Sequence, residues 1–250
     1  SLHGDDIQKI WQLIDGEDYH NGEGAIIRRD IIDNYIDELK GNLLDAGRPF
    51  KVVIDGGNGT GGITAVPLYK KLGYQVIELF CEPDGNFPNH HPDPTVEENL
   101  IELRKAVFDN SADLGIAFDG DGDRIGIIDR DGEVVWGDRL LTLLSRVLLQ
   151  QEKGAVIIGE VKCSKTLYSD IEKQGGKAIM WKAGHSLIKA KMKEHDAVLA
   201  GEMSGHIFFK HRYYGFDDAV YAGGRLLEIL SATDQSIGEL LDDLPKLVST

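Results

Sequence analysis

Three aspartates at alternate positions, Asp119, Asp121 and Asp123, stand in the run Asp119-Gly-Asp-Gly-Asp-Arg124. The glycines between them lack a Cβ and let the backbone curl until three carboxylates face one point. Carboxylates held that close repel, and protonation, a shared metal or a cationic neighbour relieves the repulsion. Arg124 alone cannot neutralise three of them. The loop offers oxygen ligands only, with no His or Cys, so it predicts a hard divalent cation, Mg²⁺, Mn²⁺ or Ca²⁺, rather than Zn²⁺. Mg²⁺ would leave room for water and a phosphate oxygen.

The apolar runs Leu114 to Phe118 and Ile125 to Ile128 predict strand, acidic loop, strand. An EF-hand starting at Asp119 is excluded: it needs Gly at its sixth position and Glu at its twelfth, where this chain has Arg124 and Arg130. A haloacid-dehalogenase-type phosphatase is a nearer rival, since Asp119 and Asp121 imitate its Asp-x-Asp and Lys182 and Asp217-Asp218 could pose as its later motifs. Against it, the loop returns straight into a strand and an Asp131-Gly132 hairpin turn, whereas that family's loop leads into a flap and a helix.

A second polar loop, Gly201-Glu-Met-Ser-Gly-His206, is bracketed by apolar strands within Ala197 to Phe209. Glu202 and Ser204 alternate and could point together at vicinal hydroxyls, and His206 can titrate near neutral pH. Alone, the same residues would also make a capped turn around a buried histidine.

These loops need a scaffold, and the apolar pattern predicts one. A short helix (Asp5 to Leu13) and a Gly-rich linker precede a helix at Arg29 to Leu44. Then follow a strand (Lys51 to Asp55), a helix (Ile63 to Leu72), a strand (Gln75 to Phe80) and a helix (Val96 to Phe108) leading to the aspartate loop, with the first unit closing near Val135. The second half repeats the plan: helix Gly137 to Gln150, strand Ala155 to Glu160, helix Thr166 to Gln174, strand Lys177 to Trp181 and helix Leu187 to Glu194. Strand, polar loop and helix recur at similar spacing, which suggests a duplicated α/β domain, and such folds place function in the loops after strands.

Two patterns in the first half invite other functions. Gly57-x-Gly59-x-x-Gly62, with Glu78 downstream, matches a dinucleotide fingerprint. Only one βαβ unit of the required kind is evident, so the glycines are read as a tight strand-to-helix turn whose amides face the interdomain cleft. His90 and His91, in the Pro-rich loop Asp84 to Pro94, could be metal ligands, but adjacent histidines point apart and a rigid loop is the favoured reading.

The 250 residues, 42% hydrophobic, suffice for two ordinary domains. No apolar stretch approaches the roughly 18 residues of a membrane span, and the first residues carry no signal-peptide pattern. Cys81 and Cys163 lie far apart without a CxxC, which suits a reducing cytoplasm. A net charge of −15 argues against nucleic acid or an anionic membrane as partner. A local positive cleft is expected from Lys162, Lys165, Lys182, His185, Lys210 and Arg212.

Together, Asp119-Gly-Asp-Gly-Asp-Arg124 and Gly201-Glu-Met-Ser-Gly-His206 resemble the α-D-phosphohexomutases of the bacterial phosphomannomutase/phosphoglucomutase type. The likeness extends to Asp55-Gly-Gly-Asn-Gly, Pro88-Asn-His-His-Pro-Asp-Pro94, Lys162-Cys and Trp181-Lys-Ala-Gly-His-Ser186. It implies two tandem three-layer α/β/α domains with mixed sheets: a connector at 1–28, a metal-binding domain at 29–135 and a sugar-binding domain at 136–250. Mg²⁺ would be held by Asp119, Asp121 and Asp123, and the sugar hydroxyls read by Glu202, Ser204 and His206, with Met203 and Gly205 in the same substrate-binding turn. Arg124, Lys162 and His185 match positions that touch the sugar phosphate or line the cleft; Arg124, Lys162 and His206 are the implied catalytic groups. Met203 resembles the form that accepts both mannose and glucose phosphates.

The family's mutases interconvert hexose 1- and 6-phosphates through a phosphoserine and a bisphosphate, glucose 1,6-bisphosphate or mannose 1,6-bisphosphate. The phosphoserine sits in a Ser-His-Asn-Pro loop of a first domain, and a phosphate-gripping loop lies in a fourth. Neither motif is in this sequence, so the chain is expected to be the middle two domains and inactive alone. A non-catalytic sugar-phosphate binding module is the remaining alternative.

Overall fold

The computed structural model describes residues 5–245. The outer ends of the units expected at 1–28 and 136–250 lie outside that range. In chain order the elements are α1 (Asp5–Asp15), α2 (Ile32–Asn42), β1 (Lys51–Asp55), α3 (Gly61–Lys71), β2 (Gln75–Leu79), a 3₁₀ turn (Glu97–Leu100), α4 (Ile101–Asp109), β3 (Leu114–Phe118), β4 (Ile125–Asp129) and β5 (Val134–Val135). Then come α5 (Gly137–Gln151), β6 (Val156–Glu160), α6 (Lys165–Lys173), β7 (Lys177–Trp181), α7 (His185–His195), β8 (Leu199–Gly201), β9 (Ile207–Phe209), β10 (Phe216–Asp217), α8 (Ala219–Ser231) and α9 (Ile237–Leu240).

The described residues form two five-stranded sheets, β2-β1-β3-β4-β5 and β7-β6-β8-β9-β10, with one topology used twice. In each, three parallel strands join an antiparallel hairpin pair, for example Val52 beside Leu114 and Ile116 opposite Ile127. The expected mixed sheets and duplicated plan are both present. Alternation along each strand divides the side chains between two faces. Val52 and Ile54 of β1 pack with Ala65, Leu68 and Tyr69 of α3, while Val53 faces Leu103 and Val107 of α4. In the second sheet Ile157 and Leu199 join the same core as β1 and α3, whereas Ile158 and Ala200 face Ile188 and Met192 of α7.

The sequence pattern differs from the fold in three places. The helix expected at 29–44 is shorter, and the one expected at 96–108 opens as a 3₁₀ turn. More consequentially, the apolar pattern predicts no counterpart of β10, α8 or α9. Asp218 caps α8 by accepting the Tyr221 amide at 2.8 Å, and the helix is buried on nearly every side, Arg225 included. α1 instead leaves Ile7, Ile10, Trp11 and Ile14 exposed. No described helix is long and apolar enough to cross a membrane.

Candidate active site and metal loop

Both polar loops lie at the ends of the strands that the apolar pattern predicts, and the backbone joins them. The Ile125 amide donates to the Gly205 carbonyl at 3.1 Å, and Arg124 pairs with His206 in a one-residue antiparallel bridge. The aspartate triplet and the Glu202 to His206 turn, some eighty residues apart in sequence, therefore line one crevice.

Asp119 is almost wholly buried, and its own loop holds it. Oδ1 accepts the amides of Gly122, Asp123 and Arg124, each at 3.0 Å, and Oδ2 accepts Arg124 Nε at 2.7 Å. A carboxylate has about four acceptor positions spread over two oxygens. Oδ2 accepts only one hydrogen bond here and so keeps room for a cation. Oxygens of Asp119, Asp121 and Asp123 come within 4.8 Å of one another. Burial and the neighbouring carboxylates push the Asp123 carboxyl up to about 7, the electrostatic signature of a loop short of positive charge. The donor set and its spacing fit a hard divalent cation.

Arg124 is held on two sides, by Asp119 and by Asp93 Oδ1 at 3.1 Å. Asp93 comes from the Pro-rich loop. That loop is anchored by His90, whose Nε2 lies 3.1 Å from Asp55 Oδ2. His90 therefore serves architecture, in keeping with the favoured rigid-loop reading. The glycine loop differs from expectation. The amides of Gly57, Asn58, Gly59 and Thr60 are bonded to Asp55 Oδ1 and to the carbonyls of Phe80, Gly56 and Gly120, so they do not face the cleft. Glu78 pairs with Lys70. A Cβ at Gly59 would lie 2.6 Å from the Gly120 carbonyl oxygen, so glycine there lets the loop pack beneath the aspartates.

On the opposite wall, Glu202 is buried and its Oε1 accepts the Gly184 amide at 2.5 Å, tying the Glu202–His206 turn to the loop that carries His185. Buried Glu160, which the sequence reading did not single out, accepts the Met203 amide at 2.8 Å and lies 3.7 Å from Lys162 Nζ. Lys162 and Met203 share a cavity of about 350 Å³ with Trp136, Arg139 and Thr166. Ser204 is half-buried beside them, and Lys182 is exposed. Burial pulls the His206 imidazole down, but Asp217 and Asp123 outweigh it and leave its pKa above the ordinary value. Two members of the expected positive cleft are engaged elsewhere: Lys210 pairs with Asp196, and Arg212 with Glu228 at 2.7 Å.

The fold and site thus define a class: a pair of α/β domains that bring an aspartate-triplet loop and a Glu-Met-Ser-Gly-His loop into one crevice. The chain belongs to the phosphoglucomutase/phosphomannomutase family, matching its alpha/beta/alpha domain II over residues 33–132 and domain III over 136–248. The resemblance carried by the motifs is borne out. A phosphomannomutase/phosphoglucomutase of Pseudomonas putida is 48% identical over 250 residues, and a phosphoglucomutase of Neisseria gonorrhoeae 47% over 252. Each covers 100% of this chain and is itself covered over 54% of its length. A crystal structure of a family protein from Burkholderia thailandensis superposes with a TM-score of 0.94 at 46% identity, covering 100% of this chain and 54% of that one. The chain spans about half the length of the curated relatives it matches.

The dehalogenase-type alternative fails on geometry as well as kinship. In that family the loop after the aspartates leads into a flap and a helix, whereas here the chain returns directly into β4, paired antiparallel with β3.

Proposed function

We propose that this chain is the cation- and sugar-binding centre of a phosphohexomutase that interconverts hexose 1-phosphates and hexose 6-phosphates, with mannose and glucose phosphates as substrates. The single observation that carries this reading is the backbone junction of Arg124 and Ile125 with His206 and Gly205, which places the two family loops on one crevice. The paired sheets and the two matched segments support a metal-binding unit at 29–135, a sugar-binding unit at 136–250 and a connector at 1–28.

In the reaction, a phosphoserine on a preceding domain donates its phosphoryl group to a sugar hydroxyl. The resulting 1,6-bisphosphate of glucose or mannose turns over and returns its other phosphate to the serine. Asp119, Asp121 and Asp123 would hold Mg²⁺, which offsets charge on the transferring group. Arg124, fixed by Asp93 and Asp119, meets phosphate oxygens, Lys162 adds positive charge on the other wall, and His185 contacts the sugar phosphate beside it. Glu202 and Ser204 read hydroxyls, Met203 packs against the sugar, and His206 takes the hydroxyl proton. The exposed apolar side chains of α1 are the surface on which the preceding domain would rest. A reducing, cytoplasmic setting suits the two unpaired thiols.

The test has two parts. In a coupled assay the 250-residue chain alone is expected to give no mutase turnover and to bind hexose phosphate at millimolar strength or weaker. The full-length enzyme should turn over, and Asp121→Asn should lower its rate about 10²-fold or more, since metal charge stabilisation is worth several kcal/mol. Turnover by the chain alone, or an unaffected variant, would refute the reading; tight binding without turnover by the full-length protein would favour a binding module.

A further inference from the structure

Asp217, at the end of β10, is a point on which the polar groups of the second sheet converge. Its side chain is 6% exposed. Oδ1 accepts from Lys189 Nζ at 2.8 Å, and Oδ2 lies 3.2 Å from His206 Nδ1 and 3.6 Å from His185 Nδ1. Lys189 Nζ also lies 3.2 Å from His185 Nδ1. The two imidazoles stack, with centroids 5.8 Å apart and planes inclined by 18°. His206 Nδ1, which also lies 3.6 Å from Asp123 Oδ1, and Asp217 Oδ2 are both buried, and neither completes a hydrogen bond of good geometry with any described residue.

The chemistry of these partners restricts where the ring protons can sit. A lysine ammonium only donates, so His185 Nδ1 must accept from Lys189, which leaves the proton of the neutral ring on Nε2. A carboxylate only accepts, so the proton of neutral His206 belongs on Nδ1, and Nε2 carries the lone pair. The 3.2 Å approach is bent off the ideal line, and such contacts tighten when a site fills.

We propose that Asp217 and Lys189 are positioning residues that hold the stacked histidines in opposite tautomers, so that His206 presents an acceptor nitrogen to a sugar hydroxyl and His185 presents an N–H donor to a sugar or phosphate oxygen. Two like rings side by side thereby acquire unlike chemistry. His206 is equipped to take a hydroxyl proton, and His185 is not. A second cation held by Asp123, His206 and Asp217, whose ligand atoms lie within 4.8 Å of one another, is the rival arrangement. The ammonium already at 2.8 Å from Asp217 opposes it. The catalytic consequence rests on the mutase reading given above, whereas the tautomers do not.

The experiment is a long-range ¹H–¹⁵N correlation spectrum of the chain labelled at histidine, recorded with Mg²⁺ above the titration of both rings. The expected result is a proton on Nδ1 of His206 and on Nε2 of His185. Asp217→Asn, whose carboxamide can turn its NH₂ towards the ring, should move the His206 proton to Nε2; Lys189→Met should disturb His185 alone. In the full-length enzyme Asp217→Asn should lower kcat about 10²-fold with KM changed no more than about threefold, and Asp217→Glu should recover part of kcat. A native His206 without a proton on Nδ1, as a metal ligand would be, overturns the proposal. So does an Asp217→Asn enzyme with native tautomer and kcat. Full-length protein that shows these tautomers yet turns over no hexose phosphate would overturn the mutase reading instead.

Discussion

Asp119 accepts four hydrogen bonds from its own loop and from Arg124, so its carboxylate is a fixed strut before any ligand arrives, while Asp121 at the exposed tip has no such restraint. The same division recurs at His90. Its Nδ1 lies 2.9 Å from the His91 carbonyl and its Nε2 3.1 Å from Asp55 Oδ2; both partners are acceptors, so the ring keeps both contacts only as an imidazolium. The hydrogen bond to buried Asp55 outweighs burial and raises the His90 pKa. A folded pKa above the unfolded value of about 6.5 means stability that is complete below that pH and lost as pH rises through the raised folded value. His90→Gln is therefore expected to cost about 1–3 kcal/mol near pH 6 and clearly less near pH 9, as measured by urea unfolding. Equal costs at both pH values would show that the ring is neutral in the folded chain. The aspartate triplet was legible because it is a spacing within one loop. Asp93, Glu160 and the role of Asp217 were not: Asp93 acts on Arg124 31 positions on and Glu160 on Met203 43 positions on, while Asp217 reaches back across a turn to His206 and 28 positions to Lys189, and no local pattern encodes those pairings.

The turn between β8 and β9 depends on one backbone conformation. Gly205 has φ of +96°, and a Cβ there would lie 2.4 Å from the Ile125 carbonyl oxygen, on the strand that leaves the aspartate loop. Gly205→Ala is expected to cost about 1–3 kcal/mol from the forced separation alone, with the left-handed conformation adding about 1–2. Because the displaced atoms join the two loops, kcat/KM of the full-length enzyme should fall although every carboxylate and His206 remain. A melting temperature lower by several degrees, at about 2–4 °C per kcal/mol in a chain this size, together with reduced kcat/KM checks it; native values for both would mean that the loops need not touch. Most elements were legible as far as Phe209, since short apolar runs separated by polar or glycine-rich loops specify strands, as at β1, β3 and β7. Beyond Lys210 the pattern fails. β10 is two residues long, and α8 carries a Gly223-Gly224 pair and a buried Arg225, which weaken its helical signal.

α8 also decides how the molecule holds together. It follows the second sheet in sequence but packs on the first unit: Tyr69 of α3 donates to the Val220 carbonyl at 2.7 Å, and Tyr35 of α2 to Asp218 Oδ2 at 2.8 Å. Leu39, Leu68, Ile116 and Ile125 from the first unit share one contiguous apolar core with Leu141, Ile157, Leu199 and Leu226 from the second. Two domains that rest on a polar interface unfold separately; two that share a core cannot lose one half without exposing the interior of the other. The 250-residue chain is therefore expected to melt in a single calorimetric transition with equal van't Hoff and calorimetric enthalpies, roughly 170 kcal/mol near 60 °C. A separately expressed 29–135 segment, lacking α8 over Leu39 and Tyr69, should bind a hydrophobic dye and lose its near-ultraviolet circular dichroism. Two resolved transitions in the whole chain, or a native-like spectrum for the segment alone, would show that each sheet carries a core of its own. The two loops of the crevice would then owe their alignment to the Ile125–Gly205 junction rather than to a common interior.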